Sequence, residues 1–134
     1  MGLWIHSLNM IDESALKKAA IIFKKNKNIS LTLHLAETKE QTVQIKNKYG
    51  LSEIELLEKH GLLNKRTNLI HCNHLSLKDV SLIAKKKANI TICPVSNKIL
   101  SSGFPNLELF LKKGINVSIG TDGLATTESA SLLQ

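Results

Sequence analysis

Two histidines, two carboxylates and a Cys-Pro pair stand at or just beyond the ends of short apolar runs. They are His34 in LTLHLAET with Glu37 three residues on, His71 in LIHCNHL, Cys93-Pro94 in NITICPVSN, and Asp122 in VSIGTDG. Neutral imidazole is a ligand for Zn²⁺ or Fe²⁺, and a carboxyl group beside bound water can shuttle a proton. Together these groups are what a hydrolytic metal centre requires. Each one alone has a plainer explanation. His34-x-x-Glu37 is also what a core or surface histidine beside a helix-starting glutamate looks like. Asp122, between Gly120-Thr121 and Gly123, is also a turn or cap aspartate. His71 could ligate metal or hold a leaving group, whereas His74 reads first as a loop contact. His60, just before Gly61, is explained by a helix C-terminus. What argues for chemistry is the joint occurrence at successive strand ends.

The elements that must carry these residues follow from periodicity and caps. Gly2 to His6 reads as a short strand, and Asp12 caps a helix to about Lys25. Ile29 to His34 alternates, with Leu31 and Leu33 on one face and Thr32 and His34 on the other. Thr38 with Gln41, and Ser52 with Glu55, form capping boxes for helices through about Lys48 and His60, stopped by Gly50 and Gly61. Thr67 to His71 is the next strand, and Ser76 caps a helix through about Lys87. Asn89 to Cys93 is a strand ended by Pro94. Asn106 precedes a helix ended by Gly114, Ile115 to Gly120 is the last strand, and another helix begins around Glu128 to Leu133. The order β-α-β-α-α-β-α-β-α-β predicts an α/β fold with a parallel sheet and crossover helices. Five strands do not close a (β/α)₈ barrel, and an open doubly wound sheet has the same pattern. Both folds put their sites at the C-terminal edge of the strands. Gly-x-Gly-x-x-Gly and Gly-Lys-Ser/Thr phosphate motifs are absent.

With 134 residues and 43% hydrophobic content, the chain is expected to form one globular domain spanning 1–134. No apolar run is long enough to span a membrane, and the N-terminal MGLWIHSLNM is a poor signal peptide, so a cytoplasmic location is expected. Cys72 and Cys93 are then expected as reduced thiols without a Cys-x-x-Cys zinc site. The formal charge of +7 comes almost entirely from lysine. Lys24-Lys25, Lys85-Lys86-Lys87 and Lys112-Lys113 fall near predicted helix ends, where cations complement the helix dipole. One arginine and five scattered aromatics offer no base-stacking surface, so nucleic acid is not the expected partner.

In this order, HLAET, IHC-x-HL, CPVSNKILSSG and IGTDG resemble the amidohydrolase superfamily. The nearest branch holds the chlorohydrolases and the deaminases of S-adenosylhomocysteine, methylthioadenosine and guanine. WIHSLNMIDES is similar to that branch's Pro-His-Ser-Pro-Tyr-Ser segment without its Pro and Tyr. The resemblance implies a partial (β/α)₈ TIM-type barrel, strands four to eight. It implies His34 and Asp122 as ligands of one Zn²⁺ or Fe²⁺ and Asp122 as general base. Glu37 would be proton donor to a substrate ring nitrogen, and His71 would position water or substrate. His6, with Glu37, His71 and His74, would contact a small nucleoside-like substrate. With no lysine at the end of the first strand, a mononuclear centre is implied.

The chain departs from the family in a second respect. No His-x-His pair occurs anywhere in it, although the family places one on its first barrel strand. The ligand set is therefore incomplete, and weak metal binding is expected from this polypeptide alone. Unpaired sheet edges would favour a second polypeptide or self-association. Three readings follow: a metal-dependent C–N hydrolase acting on a cyclic amidine, probed by ammonia release; a non-catalytic remnant or interaction module of the same fold; and a basic anion- or nucleic-acid-binding protein, whose binding would weaken steeply with salt.

Overall fold

In the computed structural model, residues 2–123 are described. The five strands are β1 (Gly2–Ile5), β2 (Ser30–Leu35), β3 (Thr67–His71), β4 (Asn89–Ile92) and β5 (Val117–Ile119). The helices are α1 (Glu13–Lys25), α2 (Lys39–Tyr49), α3 (Glu53–Lys59), α4 (Leu77–Lys86), α5 (Pro94–Ile99) and α6 (Leu107–Lys112), with a 3₁₀ turn at Leu8–Met10. The helix expected around Glu128 to Leu133 lies outside the described residues.

The caps do what their chemistry dictates. The Asp12 carboxylate accepts from Ala15 N–H, and Thr38, Ser52 and Ser76 each close a reciprocal capping box. Gly50 ends α2 in the left-handed region, at φ 69°. Lysines occupy the last turns of α1, α4 and α6, where they offset the carbonyl end of the dipole.

All strand pairs are parallel, and the spatial order is β1-β2-β3-β4-β5. A doubly wound sheet reverses its order at a switch point; this sheet does not. In a sheet of this order, right-handed crossovers between sequential neighbours would put the connecting helices on one face. Burial agrees. Leu31, Leu33 and Leu35 of β2, Leu69 of β3 and Ile90 of β4 are fully buried, together with Leu16, Phe23, Ile45, Leu57, Ile83 and Phe110. The opposite face carries Trp4, Thr32, His34, Asn68 and Thr91, none of them buried. Thr91 donates to Asn68 Oδ1 (3.0 Å) and pairs with Ser118 Oγ (2.8 Å), so a polar ladder crosses this face beside Trp4 and Ile70. A sequential parallel sheet with helices outside and polar side chains inside is part of a (β/α)₈ barrel.

Two elements differ from the sequence expectation. Between β4 and β5 there are two helices, not one: Pro94 ends β4 and also starts α5, because a proline has no N–H to lose at the first helical position. The 3₁₀ turn Leu8–Met10 precedes α1, and Leu8 is buried within it.

Candidate metal centre

The strand ends converge on one point. His34 is the penultimate residue of β2, on its inner face. Its Nδ1–H donates to the carbonyl of His6 at 2.8 Å, leaving Nε2 with a free lone pair. His71 ends β3 and is 1% exposed. Strict alternation would aim it with Leu69 into the helical layer. The backbone turns left-handed instead, with φ 73° at His71 and 57° at Cys72. Its ring stacks on that of His34, centroids 5.2 Å apart. Asp122, past the end of β5, is left-handed too, at φ 64°. Non-glycine residues in this region cost about 1–3 kcal/mol each, and such strain collects at functional sites. Gly120 serves a different need: a Cβ there would lie 2.9 Å from the Thr91 methyl, so close strand approach requires glycine.

His34 Nε2 lies 3.8 Å from Asp122 Oδ1, and His71 Nε2 lies 3.8 Å from Asp122 Oδ2 and from Glu37 Oε2. One ligand atom from each of His34, His71 and Asp122 falls within 4.8 Å of the others. His71 Nε2 is buried and has no hydrogen-bond partner. Such an atom is costly unless something occupies its lone pair. Two imidazole nitrogens and one carboxylate fit a divalent cation of the zinc or iron type. Burial would raise the Asp122 carboxyl. The Ser96 hydroxyl (2.6 Å), the Gly123 N–H and the facing imidazoles of His71 and His34 together hold it below its ordinary value.

Glu37 reaches the same mouth through the turn after β2. Ala36 is left-handed there, at φ 49°, and its N–H donates to buried Glu53 Oε2 at 3.1 Å. Burial pushes Glu53 up to about 7, and Asp79 adds to this while the Ala36 N–H opposes it. The folded state therefore keeps a proton that the unfolded chain releases near 4.5. This contribution to stability is complete below that value and is lost as pH rises through about 7, amounting to about 3 kcal/mol. Glu53→Gln keeps the acceptor and should flatten the difference in urea stability between pH 5 and pH 8 by about that amount.

Of the other expected contacts, His6 lies beside the cluster and His74 does not. The His6 ring is exposed, 4.9 Å from that of His34. His74 is not in the cluster: its Nε2–H donates to the Ser102 carbonyl at 2.7 Å, which braces the loop after α5. His60 ends α3 as its cap, as the dipole argument holds. Both thiols are free and buried. Burial pushes the Cys93 thiol up to about 11 and the Cys72 thiol well above its ordinary value, which disfavours the nucleophilic thiolate at both. Ser96 and Asn97 on the first turn of α5 were not singled out from the sequence, yet they touch Asp122 and His71. The signal available was a Ser-Asn pair two residues after a strand-ending Cys-Pro.

The model of the amidohydrolase family matches residues 2–134. The chain belongs to this family. Amidohydrolase relatives in which the match is strong include a 5-methylthioadenosine/S-adenosylhomocysteine deaminase of Thermococcus sibiricus, 39% identical over 78% of this chain and 24% of that protein. The deaminase of the same name from Acetivibrio thermocellus is 34% identical over 97% of this chain and 30% of its own length. A zinc-bound adenosine deaminase of Xanthomonas campestris shares the fold with a TM-score of 0.89 at 24% identity, covering 95% of this chain and 29% of that one. The chain thus spans between about a quarter and a third of the length of these relatives. No helix among the described residues is long and apolar enough to cross a membrane.

Proposed function

We propose that this amidohydrolase chain contributes His34, His71, Asp122 and Glu37 to the active site of a metal-dependent deaminase of nucleoside-like cyclic amidines. The observation that carries the reading is the convergence of two Nε2 lone pairs and the Asp122 carboxylate within 4.8 Å, with Glu37 beside them. The names of the Thermococcus and Acetivibrio relatives support the substrate class, and the zinc of the Xanthomonas protein supports the metal.

His34 Nε2 and Asp122 Oδ1 would hold one zinc or iron ion, with His71 Nε2 alongside. When bound, the metal supplies the Lewis acidity that makes water a nucleophile near neutral pH. Asp122 is held as carboxylate by Ser96 and Gly123, so it can take the proton of the attacking water. Oxygen adds to the ring carbon bearing the amino group. The Glu37 carboxyl protonates the adjacent ring nitrogen, and Asp122 passes the proton it took from water to the amino group. The C–N bond breaks to release ammonia, and the remaining hydroxyl proton returns to Glu37 as the ring carbonyl forms. His71 Nε2, 3.8 Å from both carboxylates, orients water or the departing amine. The exposed Trp4 indole, edge-on to His34 with centroids 5.3 Å apart, is an apolar wall for a flat heterocycle.

The test supplies a polypeptide bearing the His-x-His strand that family membership implies. The metal-loaded complex is then assayed for ammonia from 5′-methylthioadenosine, S-adenosylhomocysteine and guanine. Release from one of the adenosine-type substrates is expected. A folded, metal-loaded complex that releases none from any substrate overturns the reading in favour of a non-catalytic module of the same fold.

A further inference from the structure

The buried amides behind the metal centre have a directionality of their own. Asn97 is fully buried on α5. Its Oδ1 lies 2.9 Å from His71 Nδ1, and its Nδ2 donates to Asn73 Oδ1 at 2.8 Å. Asn73 Nδ2 in turn donates to the backbone carbonyl of Glu37 at 3.1 Å and to Ser102 Oγ at 3.3 Å. The Ser102 hydroxyl points back to Asn97 Oδ1 at 3.3 Å.

We propose that Asn73 and Asn97 form a relay, anchored on the Glu37 carbonyl, that fixes His71 in its Nδ1–H tautomer and ties the proton donor's backbone to the same network. The argument runs from the one group whose role is fixed. A backbone carbonyl only accepts. Asn73 must therefore present its NH₂ to Glu37, which turns its Oδ1 toward Asn97. Asn97 must answer with its own NH₂, which leaves its Oδ1 facing His71. The Nδ1 of His71 then carries the proton, and the buried Nε2 is bare toward Asp122 and Glu37. Turning either amide over would set two oxygens against each other in a site with no room for an unpaired acceptor. An imidazole side chain free in water favours the Nε2–H tautomer, so the relay reverses the intrinsic preference.

Asn73 and Asn97 are thus positioning residues. The catalytic consequence rests on the deaminase reading; the tautomer does not. An imidazole with the proton on Nε2 could neither ligate a cation nor accept a hydrogen from water or an amine at that atom.

The test uses long-range ¹H–¹⁵N correlation of the His71 ring in the full chain, treated with chelator, at a pH where the ring is neutral. Wild type is expected to show Nδ1 protonated and Nε2 bare. Asn97→Asp, which keeps an acceptor, should retain that pattern, whereas Asn97→Leu should shift the majority to Nε2–H. Asn73→Ala, which never touches the ring, should give a mixture because the Asn97 amide is then held only by the longer 3.3 Å contact from the Ser102 hydroxyl. A wild-type ring with the proton on Nε2 overturns the proposal, and this needs no variant to fold. A pure Nδ1–H pattern in folded Asn73→Ala removes the relay and leaves only the His71–Asn97 pair. Because neither substrate nor metal is present, failure of the ammonia assay and failure of the relay are separate results. In the completed, metal-loaded enzyme, Asn97→Leu should lose roughly tenfold to a hundredfold in activity, the usual range for removing a group that orients a metal-site imidazole, and Asn97→Asp should recover part of it.

Discussion

Glu37→Gln in the completed, metal-loaded site is expected to lower kcat by about 10²- to 10⁴-fold, the range for removing a positioned proton donor. Glutamine matches the carboxyl in size, so the turn through Ala36 and the hydrogen bond from Asn73 to the Glu37 carbonyl should survive. What is lost is the carboxyl group itself, whose Oε2 lies 3.8 Å from His71 Nε2, at a side chain that is 17% exposed. Single-turnover ammonia release combined with metal analysis checks this. Metal content should be unchanged, because Glu37 lies outside the three-residue cluster formed by His34, His71 and Asp122. A loss below about threefold would exclude Glu37 as the donor.

His34→Ala acts at the other half of the site. His34 supplies one of the three candidate ligand atoms, and the His6 carbonyl already fixes its tautomer. Changing a group that merely orients a metal-bound histidine costs about 10- to 100-fold in affinity. Removing the ligand itself should cost more, at least about a hundredfold, or about 3 kcal/mol. Isothermal titration of Zn²⁺ into wild type and variant measures this. His60→Ala serves as the control: it caps α3 away from the cluster and should leave affinity unchanged.

Much of the fold was legible because its signals are local. Asp12, Thr38, Ser52 and Ser76 cap helices through bonds spanning three residues, and the Leu31-Leu33 alternation needs only a period of two. Periodicity alone left a half barrel and a doubly wound sheet both open, since the choice depends on spatial order, and it was the resemblance of the ordered motifs that implied the partial barrel the sheet order shows. Pro94 was read as a stop, but the same absent N–H that ends a strand also suits a helix start, and α5 is only six residues long. In the site, His34 could be placed from the strand pattern. His71 could not: its aim depends on a left-handed backbone at two non-glycine residues, which residue type does not announce. The Asn73–Asn97 relay and the Ser96–Asp122 bond join residues 24 and 26 apart in sequence, so only tertiary structure brings them together.

The most direct measurement of the central claim is a titration of the full chain with Co²⁺, followed through the ring ¹H and ¹⁵N signals of all five histidines. Convergence on one cation predicts that His34 and His71 shift together, saturate at one equivalent, and lose that response in Asp122→Ala, while His60 stays still. Signals of His34 and His71 that respond at different equivalents, or that respond unchanged without Asp122, would contradict it.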